Sequence, residues 1–282
     1  MRVAFLGPEG TFSEEALFAS TGRAEVEAVP LPTIYECVMA VAGGTTDRAL
    51  VPIENSLEGS VNATLDALVF ETDEVHIVGE VVHPITHTLI ARTRLPLDRI
   101  ERVLSHPQAS AQCARFLREH LAHAEVIGAQ STADAVRIVA ESDQPWAALG
   151  NHISAELYDC EVLADSVEDT PENETRFVWL ERSSRPTPAD LLTDRPRSFK
   201  TSIVFWGLPD HPGALVDVLQ EFATRGINLS KIESRPRKQG LGRYVFFADL
   251  EGHADDPPVV EALGAIGATV ETLRVLGCYP SA

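Results

Sequence analysis

Residues 183–198 read Ser-Ser-Arg-Pro-Thr-Pro-Ala-Asp-Leu-Leu-Thr-Asp-Arg-Pro-Arg-Ser, with prolines at 186, 188 and 196 and no apolar periodicity. No other stretch limits the fold as much. Proline lacks a backbone donor and fixes φ, so neither a helix nor a central strand runs through this segment. The 282 residues therefore divide into 1–182 and 199–282, each long enough for its own core, with 183–198 as linker. A proline-rich connection predicts two parts that fold independently.

Ahead of the linker, short apolar runs alternate with segments of helical period. Strands are expected at 2–6, 47–53, 75–82, 86–91, 102–105, 125–128, 147–149 and 176–181. Helices are expected at 12–20, 33–42, 60–69, 108–121, 132–141 and 151–158. This alternation is that of an α/β domain with largely parallel sheets, whose ligands sit beyond the carboxyl ends of strands. After the linker the order is strand 200–206, helix 212–225, strand 228–235, strand 242–250, helix 256–266 and strand 269–276. This β-α-β-β-α-β order is the ferredoxin-like arrangement.

A net charge of −19 argues against nucleic acid and anionic membrane as partners. No apolar run reaches the length of a membrane span, and Met1–Gly7 reads as a first strand rather than a signal peptide. The acid is concentrated: 1–197 carries fifteen Arg, no Lys and 32 Asp plus Glu, a net −17, against −2 for 198–282. An anion bound by the first part must be held by local donors, helix-start N–H groups and single arginines. All three lysines, at 200, 231 and 238, lie in the last third, which excludes a Schiff-base or pyridoxal mechanism from the first part. Cys37, Cys113, Cys160 and Cys278 show no zinc spacing and fit a reduced, cytoplasmic protein. With no Walker loop or Gly-x-Gly-x-x-Gly, neither metal nor cofactor is expected. The chemistry falls to hydroxyls, carboxylates, amides, His or Arg.

Four segments have that character. In Gly7-Pro8-Glu9-Gly10-Thr11-Phe12-Ser13-Glu14, a strand turns into a helix, with Thr11 and Glu14 at capping-box spacing and the Thr11 and Ser13 hydroxyls beside free N–H groups. In Pro52-Ile53-Glu54-Asn55-Ser56, a carboxylate, an amide and a hydroxyl follow a strand, more than a turn requires. In Ser105-His106-Pro107-Gln108-Ala109, Pro107 suits the first position of a helix, and Ser105 and Gln108 rank above His106 as substrate contacts. Asn173-Glu174-Thr175-Arg176-Phe177 brings a hydroxyl and a guanidinium to the mouth of a strand. Together they make a cleft of converging polar groups suited to a carboxylate-bearing metabolite.

In this order the four segments resemble the signatures of prephenate dehydratase, and the match covers nearly the whole chain. In the tail, Gly213-Ala214-Leu215-Val216 and Ile232-Glu233-Ser234-Arg235-Pro236 resemble the phenylalanine-binding motifs of the ACT regulatory domain. Residues 150–154, Gly-Asn-His-Ile-Ser, are more polar than the family's alanine-rich segment, and no catalytic contact is assigned there. The resemblance implies two α/β lobes around a cleft, like the periplasmic binding-protein fold, hinged near 75–82 and 150–165. It implies a cytoplasmic enzyme that converts prephenate to phenylpyruvate, water and carbon dioxide. Thr175 would hydrogen-bond or protonate the departing hydroxyl, with Glu54 the runner-up acid. Arg176 would anchor a carboxylate, and Thr11, Ser13, Asn55, Ser56, Ser105, Gln108 and Phe177 would complete the site. L-Phenylalanine would bind residues 213–216, Asn228, Leu229 and 233–236, between ACT domains paired as a homodimer or homotetramer. An arogenate dehydratase and a non-catalytic amino-acid sensor stay compatible with the same residues.

Overall fold

The computed structural model describes residues 1–23, 26–182 and 198–282; the segment assigned as linker lies outside these, apart from Ser198. Lobe I contains strands β1 (Arg2–Leu6), β2 (Glu27–Leu31), β3 (Arg48–Asn55), the two-residue β4 (Gly59–Ser60), β5 (Val75–Pro84) and the returning β11 (Glu174–Arg182). Their order is β5-β11-β3-β1-β2; β1 is parallel to both neighbours and β11 antiparallel to both of its own. Ala16 and Leu17 of helix α1 (Phe12–Thr21) cover one face, packing on Val3, Phe5, Leu50 and Phe177. Cys37, Val38 and Val41 of α2 (Ile34–Ala42) cover the other, on Ala4, Ala49, Val178 and Leu180. The helix forms because Thr33 accepts the Glu36 N–H at 3.1 Å and apolar residues recur at helical spacing.

Lobe II holds β6 (Thr88–Ala91), β7 (Arg102–Ser105), β8 (Glu125–Gly128), β9 (Trp146–Gly150) and β10 (Glu161–Ala164), in the order β10-β6-β9-β7-β8. Helices α4 (Pro107–Gln112) and α5 (Ala114–His120) follow β7; α6 (Thr132–Ala140) and α7 (His152–Leu157) flank β9. The helix expected over 108–121 is two helices, broken at Cys113, where φ is −111°. The one expected over 60–69 is α3 (Asn62–Asp66) running into a π-helical turn, Ala67–Glu71. Strands β2, β4 and β10 escape the sequence pattern: β2 and β10 are sheet edges, where a strand containing Pro30 is tolerated, and β4 is two residues long.

The chain passes between the lobes at 85–87 and 165–173. These crossovers lie side by side, with Ile85 N–H bonded to Asn173 O at 2.8 Å and Val167 N–H to His87 O at 2.9 Å. The expected hinge sites are thereby corrected. Residues 75–82 lie within β5, and 150–165 spans α7 and β10 of lobe II.

The C-terminal part is β12 (Phe199–Trp206), α8 (Ala214–Ala223), β13 (Leu229–Pro236), β14 (Tyr244–Glu251), α9 (Pro257–Gly267) and β15 (Thr272–Pro280). The order is β13-β14-β12-β15, the ferredoxin-like topology expected. Helices α8 and α9 cover one face through Val218, Phe222, Val259 and Ile266. The other face does not meet solvent. Val204, Val245, Phe247, Leu276 and Tyr279 enter the same core as α2 and β11. Gly277 of β15 pairs with Ile77 of β5, and a Cβ on Gly277 would stand 2.1 Å from the Ile77 carbonyl oxygen. Only glycine permits that approach. The two parts share a core and one ten-stranded sheet, so the independence read from the linker does not hold. Alternation along a strand shows which face is buried, not what buries it.

Candidate active site

A cavity of about 490 Å³ opens between the lobes. Its floor is the end of β3 and the start of β11; its walls are the starts of α1, α4 and α6. Each start has a local cause. His106 Nδ1 accepts the Gln108 N–H at 3.3 Å and Pro107 occupies the first turn of α4. Ser131 accepts the Asp134 N–H at 2.9 Å to cap α6. At α1 the expected capping box is absent: Thr11 Oγ1 donates to Leu6 O at 3.1 Å, and the Glu14 carboxylate accepts the Gly10 N–H at 2.5 Å. Burial pushes the Glu14 carboxyl above the usual carboxylate range. Of the residues expected in the site, Ser13, Asn55, Gln108, Thr175 and Phe177 line the cavity. Among the described lining residues there is no Lys or Arg, and Glu58 is the one acid.

Register decides what faces the cavity. Thr175 pairs with Asn55 and Arg176 with Glu54, before a bulge at the next pair. Neighbours along a strand point to opposite faces, so Thr175 and Asn55 share the cleft side and Arg176 and Glu54 share the other. Asn55 Nδ2 donates to Thr175 Oγ1 at 2.9 Å and to Asn173 Oδ1 at 2.8 Å. Asn55 Oδ1 accepts the N–H groups of Leu57 and Glu58 at 2.9 and 3.0 Å, which fixes the amide. With Thr175 Oγ1 accepting, its own hydrogen is free for a group in the cavity.

On the far side of β11, Arg176 meets Glu54 at 2.9 Å, Glu80 at 3.1 Å and Asp249 of β14 at 2.9 Å. Lys200 of β12 reaches Glu80 at 2.7 Å, and Lys231 of β13 reaches Glu54 at 3.4 Å. The Glu80 side chain is 2% exposed. Burial disfavours its charge, yet the Lys200 ammonium, the Ala282 N–H and Arg176 outweigh burial and hold its pKa below the usual range. Ser202 hydroxyl donates to Asp249 at 2.6 Å and meets the Tyr279 hydroxyl at 2.7 Å; burial pushes the Tyr279 pKa upward.

Residues 3–185 match the family model described as prephenate dehydratase, and residues 201–268 match the ACT domain. The chain belongs to the prephenate dehydratase family. It is 38% identical to a prephenate dehydratase of Mycolicibacterium vanbaalenii, over 99% of this chain and 91% of that protein. A prephenate dehydratase from Arthrobacter aurescens, solved in complex with L-Phe, superposes with a TM-score of 0.89 at 39% identity, covering 99% of this chain and 90% of that one. GqqA, described as a novel type of quorum-quenching acylase, superposes with a TM-score of 0.86 at 29% identity, covering 100% and 98%.

The family's signature segments sit where the cleft is, but not all their side chains do. Arg176 and Glu54 are turned toward the ACT domain, which corrects their assignment as carboxylate anchor and runner-up acid. Ser105 is fully buried and donates to Leu149 O at 3.0 Å. Thr11 is spent on Leu6 O, and Ser56 Oγ accepts the Glu174 N–H at 3.0 Å. These three hydroxyls shape the loops and do not line the cavity. Of the effector residues, Glu233 and Arg235 are also turned to lobe I. Glu233 bonds Ser60, and Arg235 bonds Asn62 and pairs with Asp66 at 2.8 Å. Ala214 is buried, and Leu215 and Leu229 pack against the α8–α9 core. Asn228 donates to Glu251 at 2.9 Å. Gly213, Val216, Ser234 and Pro236 are exposed.

The cavity also holds residues that sequence reasoning passed over: His87, Gln112, Gln130, Ser131, Thr132 and Asn173. Gln112 lies one helical turn after Gln108, and Ser131 precedes an apolar helical period, so both carried a signal. Asn173 stood in the Thr175 segment without a role. His87 carried no signal; a histidine at the start of the expected strand 86–91 says nothing of its partners.

Proposed function

We propose that the cleft binds prephenate and that Thr175 serves the departing hydroxyl. The enzyme is a lyase of the dehydratase family. As the ring-bound carboxylate leaves as carbon dioxide, its electron pair enters the ring, and the hydroxyl leaves from the opposite ring carbon, taking a proton to become water. Aromatisation drives the step; the protein has to orient the dianion and stabilise the leaving oxygen. The observation that carries this reading is the Asn55–Thr175 bond, which leaves the Thr175 hydrogen as a positioned donor. The substrate carboxylates would be met by neutral donors, the N–H groups at the starts of α1 and α6 and the Gln108 and Gln112 amides, since no Lys or Arg lines the cavity among the described residues.

Regulation by L-phenylalanine is part of the same proposal. The ACT match and the L-Phe complex of the Arthrobacter relative support it. An effector bound at Gly213, Val216 and the exposed side of β13 would act on the strand whose Lys231 and Glu233 side chains both reach Ser60 in the cleft wall. Pairing of two chains fits the edge position of β13, where Ile232 is 46% exposed, with Val216 at 62% nearby in sequence to α8's start. The proposal is of a cytoplasmic protein, a homodimer or a homotetramer built from dimers.

Turnover of prephenate and arogenate by the purified protein, side by side and with L-phenylalanine added, tests the reading. Prephenate should be the better substrate, because arogenate replaces a carbonyl by an ammonium and, among the described lining residues, only Glu58 is at hand to receive it. A preference for arogenate, or no turnover of either, would overturn it. Gly213→Val should weaken inhibition and leave uninhibited kcat within about two-fold, a span of ~0.4 kcal/mol.

A further inference from the structure

The hydrogen-bond polarity of the cleft wall can be followed atom by atom, and it ends on a histidine. Asn55 Oδ1 accepts two backbone N–H groups, so Nδ2 is the end that faces Asn173. The Asn173 atom facing it must accept and is Oδ1. That leaves Asn173 Nδ2 facing Gln112, and the atom it meets at 3.3 Å is then Oε1. The same Oε1 lies 2.9 Å from His87 Nε2. Nε2 therefore carries the ring hydrogen, and Nδ1 carries none. Two backbone amides at 57 and 58 thus fix the tautomer of a histidine in the crossover between the lobes.

His87 is held where this matters. It is 2% exposed, and Nδ1 is buried without a partner among the described residues. A second proton there would meet no acceptor. Burial lowers the ring's pKa, with Gln112 and the Glu168 charge acting the other way. The ring stands edge-on to Phe12 of α1, centroids 5.3 Å apart. Its backbone N–H bonds the Glu168 carboxylate of the second crossover at 2.8 Å. Gln112 comes from lobe II and lines the cavity. Its Oε1 is engaged by both His87 and Asn173, and its NH2 has no hydrogen bond among the described residues.

We propose that His87 is a positioning residue: as the neutral Nε2–H tautomer it holds the Gln112 amide with its NH2 turned to the cavity, where it donates to an anionic substrate oxygen. The inference rests on the reading of the cleft as the prephenate site. His87 acts through Gln112 and touches no reacting atom itself. Because one partner belongs to the crossover and the other to lobe II, the donor is aligned only when α4 lies against the crossover.

Steady-state kinetics on the full chain test this. A glutamine at 87 places its Nε2 near the position of the imidazole Nε2, whereas an asparagine or leucine does not. His87→Leu and His87→Asn should raise KM for prephenate roughly ten-fold, the weight of one hydrogen bond, with kcat within about three-fold. His87→Gln should restore KM to within about two-fold. In a Gln112→Leu background, His87→Leu should add nothing further. A purely structural histidine would move kcat, KM and the thermal midpoint together, with additive effects and no rescue by Gln. Any of those patterns, or an unchanged KM in His87→Leu, overturns the proposal. Nitrogen NMR of the imidazole in the unsubstituted protein at neutral pH should show hydrogen on Nε2; a hydrogen on Nδ1 also overturns it. That spectrum requires neither substitution nor turnover. A protein with the expected tautomer but no prephenate turnover would sink the substrate reading and leave the hydrogen-bond chain standing.

Discussion

On the cleft face of β11, Thr175 sits among neutral groups: Asn55, Asn173, Gln112 and a neutral His87. One residue along, on the opposite face, Arg176 sits among three carboxylates, with Lys200 and Lys231 close by. Both environments are largely buried, and both are hydrogen-bonded, but they do different things. The cleft face spends the Asn55, Asn173 and His87 donors on its own neutral groups and leaves the Thr175 hydroxyl hydrogen and the Gln112 NH2 for a ligand. The opposite face commits every charge to another charge of the protein and so ties lobe I to the ACT sheet. A single strand carries both because alternation turns adjacent residues to opposite sides.

The sharpest way to break this comparison is to remove one partner of the charged face. A chain ending at residue 182 loses Asp249 and Lys200 and uncovers the apolar face that Val204, Phe247 and Tyr279 bury. It should be destabilised by more than about 5 kcal/mol, beyond what loss of one buried ion partner costs. Denaturant unfolding of the truncated and full chains measures this. If the truncated chain is as stable as the whole, the shared core has been misjudged.

Arg176→Leu comes next. It leaves Asp249 buried without its cation and Glu80 with Lys200 alone, at a cost of about 3–5 kcal/mol. Substrate KM in the folded protein should stay near the parental value. A raised KM with unchanged stability would return Arg176 to the cleft face and reverse the comparison.

Thr175→Ala probes the other side. It should lower kcat by roughly a hundred-fold, ~2.7 kcal/mol, with KM and the thermal midpoint little changed. Thr175→Ser, which keeps the hydroxyl, should retain much of the activity. Near-parental turnover in the alanine variant would mean the leaving oxygen is served by another group.

The smallest effect is on acid stability. The Glu80 pKa is depressed in the folded protein by Lys200, Ala282 N–H and Arg176 acting against burial. Its contribution is fully present above the unfolded carboxylate value of about 4.3 and is lost as pH falls through the lower folded value. Unfolding free energy measured from neutral pH downward should fall through that window, and Glu80→Gln should flatten that part of the curve. An equally steep decline in the variant would assign the acid sensitivity to other carboxylates.

Particular residues show how far the sequence reached. The Thr175 segment was legible as a site because hydroxyl, amide and turn residues cluster there beyond what a strand start needs. Arg176 and Glu54 were misplaced with it because the strand was begun at 176. The structure begins β11 at Glu174, which puts Thr175 and Arg176 inside the alternation. Gln112 and Ser131 carried patterns that could have been followed; His87 could not have been found, since its role depends on Gln112 and Asn173, 25 and 86 positions away. In the tail, the order of strands and helices was fixed by apolar periodicity, but the docking of the whole sheet onto lobe I was not.

By itself, then, the sequence determined most of the succession of elements, though not β2, β4 or β10, together with the two-part organisation and the segments from which the cleft is made. These follow from local periodicity, turn chemistry and capping, each of which acts over a few residues. The tertiary structure decided which side chain of each signature faces the ligand, where the chain crosses between lobes, and that the ACT sheet completes the core of lobe I. Those outcomes depend on strand register and on what lies across each buried face, and both are set by groups far apart along the chain.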